Sequence, residues 1–213
     1  MKTDDLIEHL VAEAGPVRRL ADPSRRALWW TAAALSATAL GVWYFGVRRD
    51  MAEAWRSPMV IARLALLAAT LWLAVTSAFR LSVPGRELRV WARWWPLVAL
   101  GALVSLSAAE VLTGAVTGSM GSPLRSWMCV RKVAFVGTLP AALAVVLIQR
   151  AAPLEPKWTA LLGVLAAGAA GALTSEMACP IHAPIHIFLW HVLPVAVFAL
   201  VGAVVGSLLW QRS

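Results

Sequence analysis

Six long apolar stretches dominate the sequence, at roughly 27–46, 59–79, 95–116, 133–149, 158–174 and 186–209. A helix needs about 20 mostly apolar residues to cross the hydrocarbon core of a bilayer. Inside that core every backbone N–H and C=O must find an internal partner, so only helices and closed barrels span it. These stretches are continuous and rich in Ala and Leu instead of alternating, which excludes barrel strands. Composition agrees: 60% of the residues are apolar and only 14% charged, where a soluble domain carries about 25% charge. The expectation is an all-α bundle of six transmembrane helices with short loops over residues 27–213, preceded by a tail, residues 1–26. That tail does not read as a signal peptide. It starts with Asp4, Asp5, Glu8 and Glu13 against Lys2, and no apolar core precedes Ala27.

The formal net charge is nevertheless +8, with a pI near 11.0. Segment by segment, the positive charge sets an orientation. Lys2, Arg18, Arg19, Arg25, Arg26, Arg80, Arg86, Arg89, Arg93, Arg150, Lys157 and Arg212 fall on one side of the six spans. Arg48, Arg49, Arg56, Arg125, Arg131 and Lys132 fall on the other. The positive-inside rule then places both termini in the cytoplasm. No basic stripe remains to suggest direct nucleic-acid binding. Trp29, Trp30, Trp94, Trp95, Trp158 and Trp210 lie near span ends on the cytoplasmic side, where they read as an interfacial aromatic belt. Gly202 and Gly206 form a small-xxx-small pair that lets the last span approach a neighbour closely.

The tail has its own pattern. Leu6, Ile7, Leu10, Val11 and Ala14 recur at helical spacing, Thr3 can cap the start, and Gly15-Pro16 stops the run. Asp4 and Asp5 suit the positive end of the helix dipole. The result is an acidic amphipathic helix on a basic stem. Such a helix is poorly suited to anionic lipid, so its apolar face calls for a basic groove on a protein partner or for the protein's own cytoplasmic loops.

On the opposite side, the only two cysteines fall in the third and fifth loops. Around the second the chain reads Glu176-Met-Ala-Cys179-Pro-Ile-His182-Ala-Pro-Ile-His186, with His191 soon after. Cys129 and Cys179 with His182 and His186 form a plausible ligand set for zinc or another thiophilic divalent metal, with Glu176 as a further ligand or a supporting carboxylate. Three readings stay open at this point: a loop-stapling disulfide, a thiol or metal sensor, and inert cysteines. Arg63 and Glu110 sit at similar depth within the second and third spans. Intramembrane charges usually face a partner or a cavity, so the two form a structural ion pair, or Glu110 faces the cysteine and histidine residues.

Thr3-Asp-Asp-Leu-Ile7 with Leu10, Pro16-Val-Arg-Arg-Leu20, and Pro23 with Arg25-Arg26 resemble the opening of NrsF-type membrane proteins. Glu176-x-x-Cys179-Pro, the histidines, Trp190-His191-x-x-Pro194, Gly202 and the final Trp210 resemble the family's last loop and helix. The resemblance spans essentially the whole chain. It implies a non-enzymatic anti-sigma factor of the bacterial inner membrane, holding an extracytoplasmic-function (ECF) sigma factor at its cytoplasmic tail. By that resemblance Cys129 and Cys179 are the sensor thiols for heavy-metal or oxidative stress. Asp4, Asp5, Leu6, Ile7, Leu10, Val11, Arg18 and Arg19 lie in the sigma-holding segment. A membrane thiol oxidoreductase fits less well, because relaying electrons to a quinone needs more than two isolated cysteines. A small multi-pass transporter or metal-handling membrane protein is the competing class, yet midplane charges and an internal repeat are missing.

Overall fold

The computed structural model describes residues 3–13, 20–85, 93–117 and 127–209, and among these helices joined by short connections are the only regular secondary structure. A short helix α1 (Thr3–Glu13) precedes α2 (Pro23–Phe45), a single turn α3 (Met51–Ala54), α4 (Pro58–Leu81), α5 (Trp95–Thr117), α6 (Trp127–Gln149) and α7 (Pro156–Ala178). The last span begins as α8 (Pro184–Ile187), passes through a π-helical turn at Phe188–Val192, and continues as α9 (Leu193–Leu209). Five of these helices are long and apolar enough to cross a membrane: α4, α5, α6, α7 and the continuous run Pro184–Leu208. Helix α2 has the length, but Trp29, Trp30, Thr31, Ser36, Thr38, Trp43 and Tyr44 dilute its hydropathy.

Helix α7 is the axis of the bundle, packed against α2, α4, α6 and α9. Nearly every residue from Thr159 to Glu176 is buried. A helix that is apolar all round belongs inside, and its Ala and Gly residues let four neighbours come close. At Gly171 a Cβ would lie 2.3 Å from the Val133 carbonyl oxygen. Gly202 and Gly206 likewise press α9 onto α7, where a Cβ would meet the Ala160 and Pro156 oxygens at 2.6 Å each. The paired glycines thus serve contact within the chain.

Helix α2 joins through Ala27, Trp30, Ala34, Thr38 and Gly41, buried at three- and four-residue spacing. Trp30 departs from the belt expectation. It is 1% exposed, and its indole N–H donates to the Pro140 carbonyl at 3.0 Å. A buried indole needs such a partner, so this Trp anchors α2 to α6. Trp29, Trp94 and Trp95 are exposed. Arg26 is no free tail charge either. Its guanidinium donates to Ser82 Oγ at 3.2 Å and to the Leu147 carbonyl, and lies 4.8 Å above the Phe79 ring.

Helix α1 exposes Asp5, Ile7 and Val11. The side chains of Asp4, Leu6 and Leu10, and all of Arg18, Arg19 and Trp210, lie outside the described residues.

Candidate functional site

Two span boundaries differ from expectation, and both shift the site. Helix α6 starts at Trp127, so Cys129 sits in its first turn instead of in a loop. Arg131 and Lys132 do not break the helix, because long basic side chains carry their charge to the interface while their stems stay on apolar surface. Helix α7 runs on to Ala178, which places Glu176 on its final turn and Cys179 at its C-cap. The close approach at Gly171 and Val133 fixes the spacing of these two antiparallel helices. One turn further out, Ser175 Oγ donates to the Cys129 carbonyl at 3.2 Å. Cys179 follows one turn beyond, its N–H on the Ser175 carbonyl at 2.9 Å.

The two sulphurs lie 3.2 Å apart, and both cysteines are buried free thiols. A disulfide would bring them to about 2.05 Å. His186 Nε2 stands 3.4 Å from Cys179 Sγ, and the His186 and His191 rings meet edge to face with centroids 5.3 Å apart. Residues five apart on an unbroken α-helix point about 140° away from each other. The π-helical turn removes that divergence, with the Leu193 N–H bonding to the Phe188 carbonyl five residues back. Pro194 supplies a local cause, since it cannot donate to the turn before it. Cys129, Cys179, His186 and His191 each offer one ligand atom, all within 4.8 Å of one another, and all four residues are buried.

The cluster is wired to the intramembrane charges. His191 Nδ1 lies 3.0 Å from Glu176 Oε1, and Arg63 Nε approaches the same oxygen at 3.5 Å. Arg63 Nη1 donates to both Glu110 oxygens at 2.6 and 2.7 Å. Arg63 therefore pairs with Glu110 and also ties that pair, through Glu176, to the histidines. Its side chain is 3% exposed, a depth at which a charge is sustained only by such partners. The Cys179 thiol, just beyond the end of α7, is held well below the ordinary thiol range. The hydrogen bond donated by Cys129 contributes most, burial opposes it, and His186 and His191 add to it.

His182 stands apart from this group, contrary to its expected place among the ligands. It is 55% exposed, its Nε2 pairs with Asp50, and Arg48 Nη2 reaches its ring nitrogens at 2.7 and 2.6 Å. Arg48 also donates to both Asp50 oxygens at 2.9 Å, which holds that carboxyl below its usual range. The reason is directional. Cys179 leaves α7 in an extended conformation, and the non-helical residues after it carry His182 outward to the α2–α3 connection. His191 takes the inner position. Its sequence signal is Pro194 three residues downstream, which marks a distorted helical turn.

The donor chemistry suits a thiophilic metal. Two sulphurs and two imidazoles form a soft, four-coordinate set. His186 Nδ1 and His191 Nε2 are buried without a hydrogen-bond partner. With Nδ1 of His191 on Glu176, its Nε2 is left for a metal, the usual carboxylate–histidine–metal order.

Residues 10–211 match the family described as "Negative regulator of sigma F". The protein called "Anti-sigma-F factor NrsF" from Caulobacter vibrioides (strain NA1000 / CB15N) is 29% identical over 214 residues, covering 97% of each chain. No solved structure matches. A match across the body of the chain, joined to a curated relative of equal length, settles the relationship: the chain belongs to the NrsF family of negative regulators of sigma F.

Proposed function

We propose that this protein is an integral-membrane anti-sigma factor of the bacterial inner membrane. In this reading the chain has six spans, α2 being the first, and the Lys and Arg bias favours both termini in the cytoplasm. The segment 1–26 sequesters an ECF sigma factor there, and metal or oxidative stress sensed by Cys129 and Cys179 at the far end releases it. The family match over residues 10–211 carries this reading. Helix α1 offers the holding surface. Its exposed Ile7 and Val11, with Leu6 and Leu10 at helical spacing, would enter an apolar groove. Asp4 and Asp5 would meet basic residues that otherwise touch promoter phosphates, with Arg18 and Arg19 completing the contact.

A bound thiophilic metal would replace loose contacts among four side chains with a compact tetrahedral set of bonds. Cys129 and Cys179 would hold it with His186 and His191, and Glu176 would keep His191 oriented. Zinc fits, as does a softer divalent ion. A two-electron oxidant such as hydrogen peroxide would act on the same pair: the two thiols give up two electrons and two protons, an S–S bond forms, and the peroxide O–O bond breaks to leave two waters. Either event moves His191 against Glu176, and Glu176 shares its oxygen with Arg63 on α4. Helix α4 then offers a rigid link across the bilayer. At its other end Phe79 and Ser82 hold Arg26, the root of the tail. Such a signal releases the sigma factor only if it favours the sigma-free arrangement over the sigma-bound one.

Co-purification tests the tail assignment. Each ECF sigma factor of the host is tagged and pulled down with the full chain, with the chain lacking residues 1–26, and with Leu6→Asp/Leu10→Asp. We expect one sigma factor to follow the full chain and neither variant, while all three forms insert in the membrane. Retention by the Leu6→Asp/Leu10→Asp protein would refute the tail as the holding element.

A further inference from the structure

The cysteine-bearing end of the bundle carries a second feature, on the lipid-facing side of α2 and α6. A groove of about 690 Å³ runs between these helices. Its floor is the contact of Gly41 on α2 with buried Val136 on α6, and small residues line its edges, Ala37 on α2 and Thr138 and Ala142 on α6. Its walls are large and exposed: Leu40 and Tyr44 on one side, Phe135 and Leu139 on the other. The Thr138 hydroxyl donates to the Ala134 carbonyl at 2.6 Å, which leaves the channel mostly apolar. Gly41 allows the floor to close, since a Cβ there would lie 2.7 Å from Val136 Cγ2.

At the mouth, a smaller cavity of about 220 Å³ continues the groove past Tyr44 and Phe135 to Arg131 and Lys132. Tyr44, Phe45 and Phe135 form an aromatic shelf, with ring centroids 5.0 to 6.5 Å apart. Among the described residues the only hydrogen-bond acceptors of these cations are Met128 Sδ for Arg131, at 3.7 Å, and the Ala178 carbonyl for Lys132, at 3.1 Å. No described carboxylate neutralises them. Two adjacent positive charges above an apolar channel match one class of amphiphile. From Arg131 to Ala142 the helix advances about 16 Å, close to half of a hydrocarbon core about 30 Å thick. The charged mouth and the channel thus span one leaflet.

We propose that this groove binds an anionic glycerophospholipid, one acyl chain lying between α2 and α6 and the phosphate resting between Arg131 and Lys132. Lys132 also donates to the carbonyl of Ala178, the residue before Cys179, so the headgroup would share this cation with the backbone that leads into Cys179.

The test uses full-length protein in neutral detergent, with binding read by native mass spectrometry. Phosphatidylglycerol, phosphatidylcholine of the same chains, and inorganic phosphate are titrated separately. Each cation near an anionic headgroup is worth about fivefold in affinity, so phosphatidylglycerol should bind roughly thirtyfold more tightly than phosphatidylcholine. Arg131→Gln/Lys132→Gln should abolish that preference, and Ala142→Phe should weaken both lipids by filling the channel. Arg49→Gln/Arg56→Gln, which removes charge elsewhere at the same end, should keep it. Equal affinity for the two lipids overturns the proposal, as does a preference that survives Arg131→Gln/Lys132→Gln or disappears in Arg49→Gln/Arg56→Gln. Displacement of phosphatidylglycerol by inorganic phosphate alone would also overturn it, because the site would then be an anion site without a chain groove.

Discussion

At the scale of single residues, His182 and His191 exchange the roles that linear spacing suggests. Cys179 and His182 are close in sequence, yet the extended segment between them points His182 at Asp50 and Arg48. His191 is farther along the chain and reaches the thiols because the π-helical turn rotates it there. Sequence patterns identify the residue types of a metal site more readily than the turn that aims them. Cobalt(II) titration, followed by thiolate-to-metal absorption, separates the two histidines. His191→Ala and Glu176→Gln should each weaken binding about 10- to 100-fold. His182→Ala should bind like the parent protein. A loss on removing His182 with none on removing His191 would restore the linear reading.

At the scale of elements, long apolar runs announce the spans, because a bilayer leaves backbone polar groups no alternative to helix. The ends are less legible. Cys129 and Glu176 fall inside helices that the apolar runs alone would have ended sooner, since a helix continues into the interface as long as its polar side chains can reach water. The burial of Trp30 was equally hidden, for a tryptophan near a span end reads as part of the interfacial belt. The central position of α7 does leave a trace, in its run of Ala and Gly. Gly171 is the tightest point of that packing. Gly171→Ala should lower stability by about 1–3 kcal/mol through overpacking against the Val133 carbonyl. Gly101→Ala should be neutral or slightly stabilising, because nothing lies within 4 Å of a Cβ there. Thermal unfolding in detergent compares them. Equal behaviour would mean that the α6–α7 contact does not set the spacing that brings the two cysteines together.

For the whole molecule, the positive charge that first suggests nucleic acid includes three buried side chains, Arg26 and Arg48 as anchors between helices and Arg63 within the apolar helix α4. The arrangement places the buried cysteine and histidine cluster at one end of the bundle and Arg26, at the start of α2, at the other. Helix α4 touches both, through Arg63 near its start and Phe79 and Ser82 near its end. The most direct measurement reconstitutes the protein with its co-purified sigma factor in vesicles, then adds zinc, cadmium or hydrogen peroxide to the cysteine side. Sigma factor should leave the parent protein and stay on Cys129→Ser/Cys179→Ser. Release from both proteins alike, or from neither, would contradict control of the tail by the buried thiols.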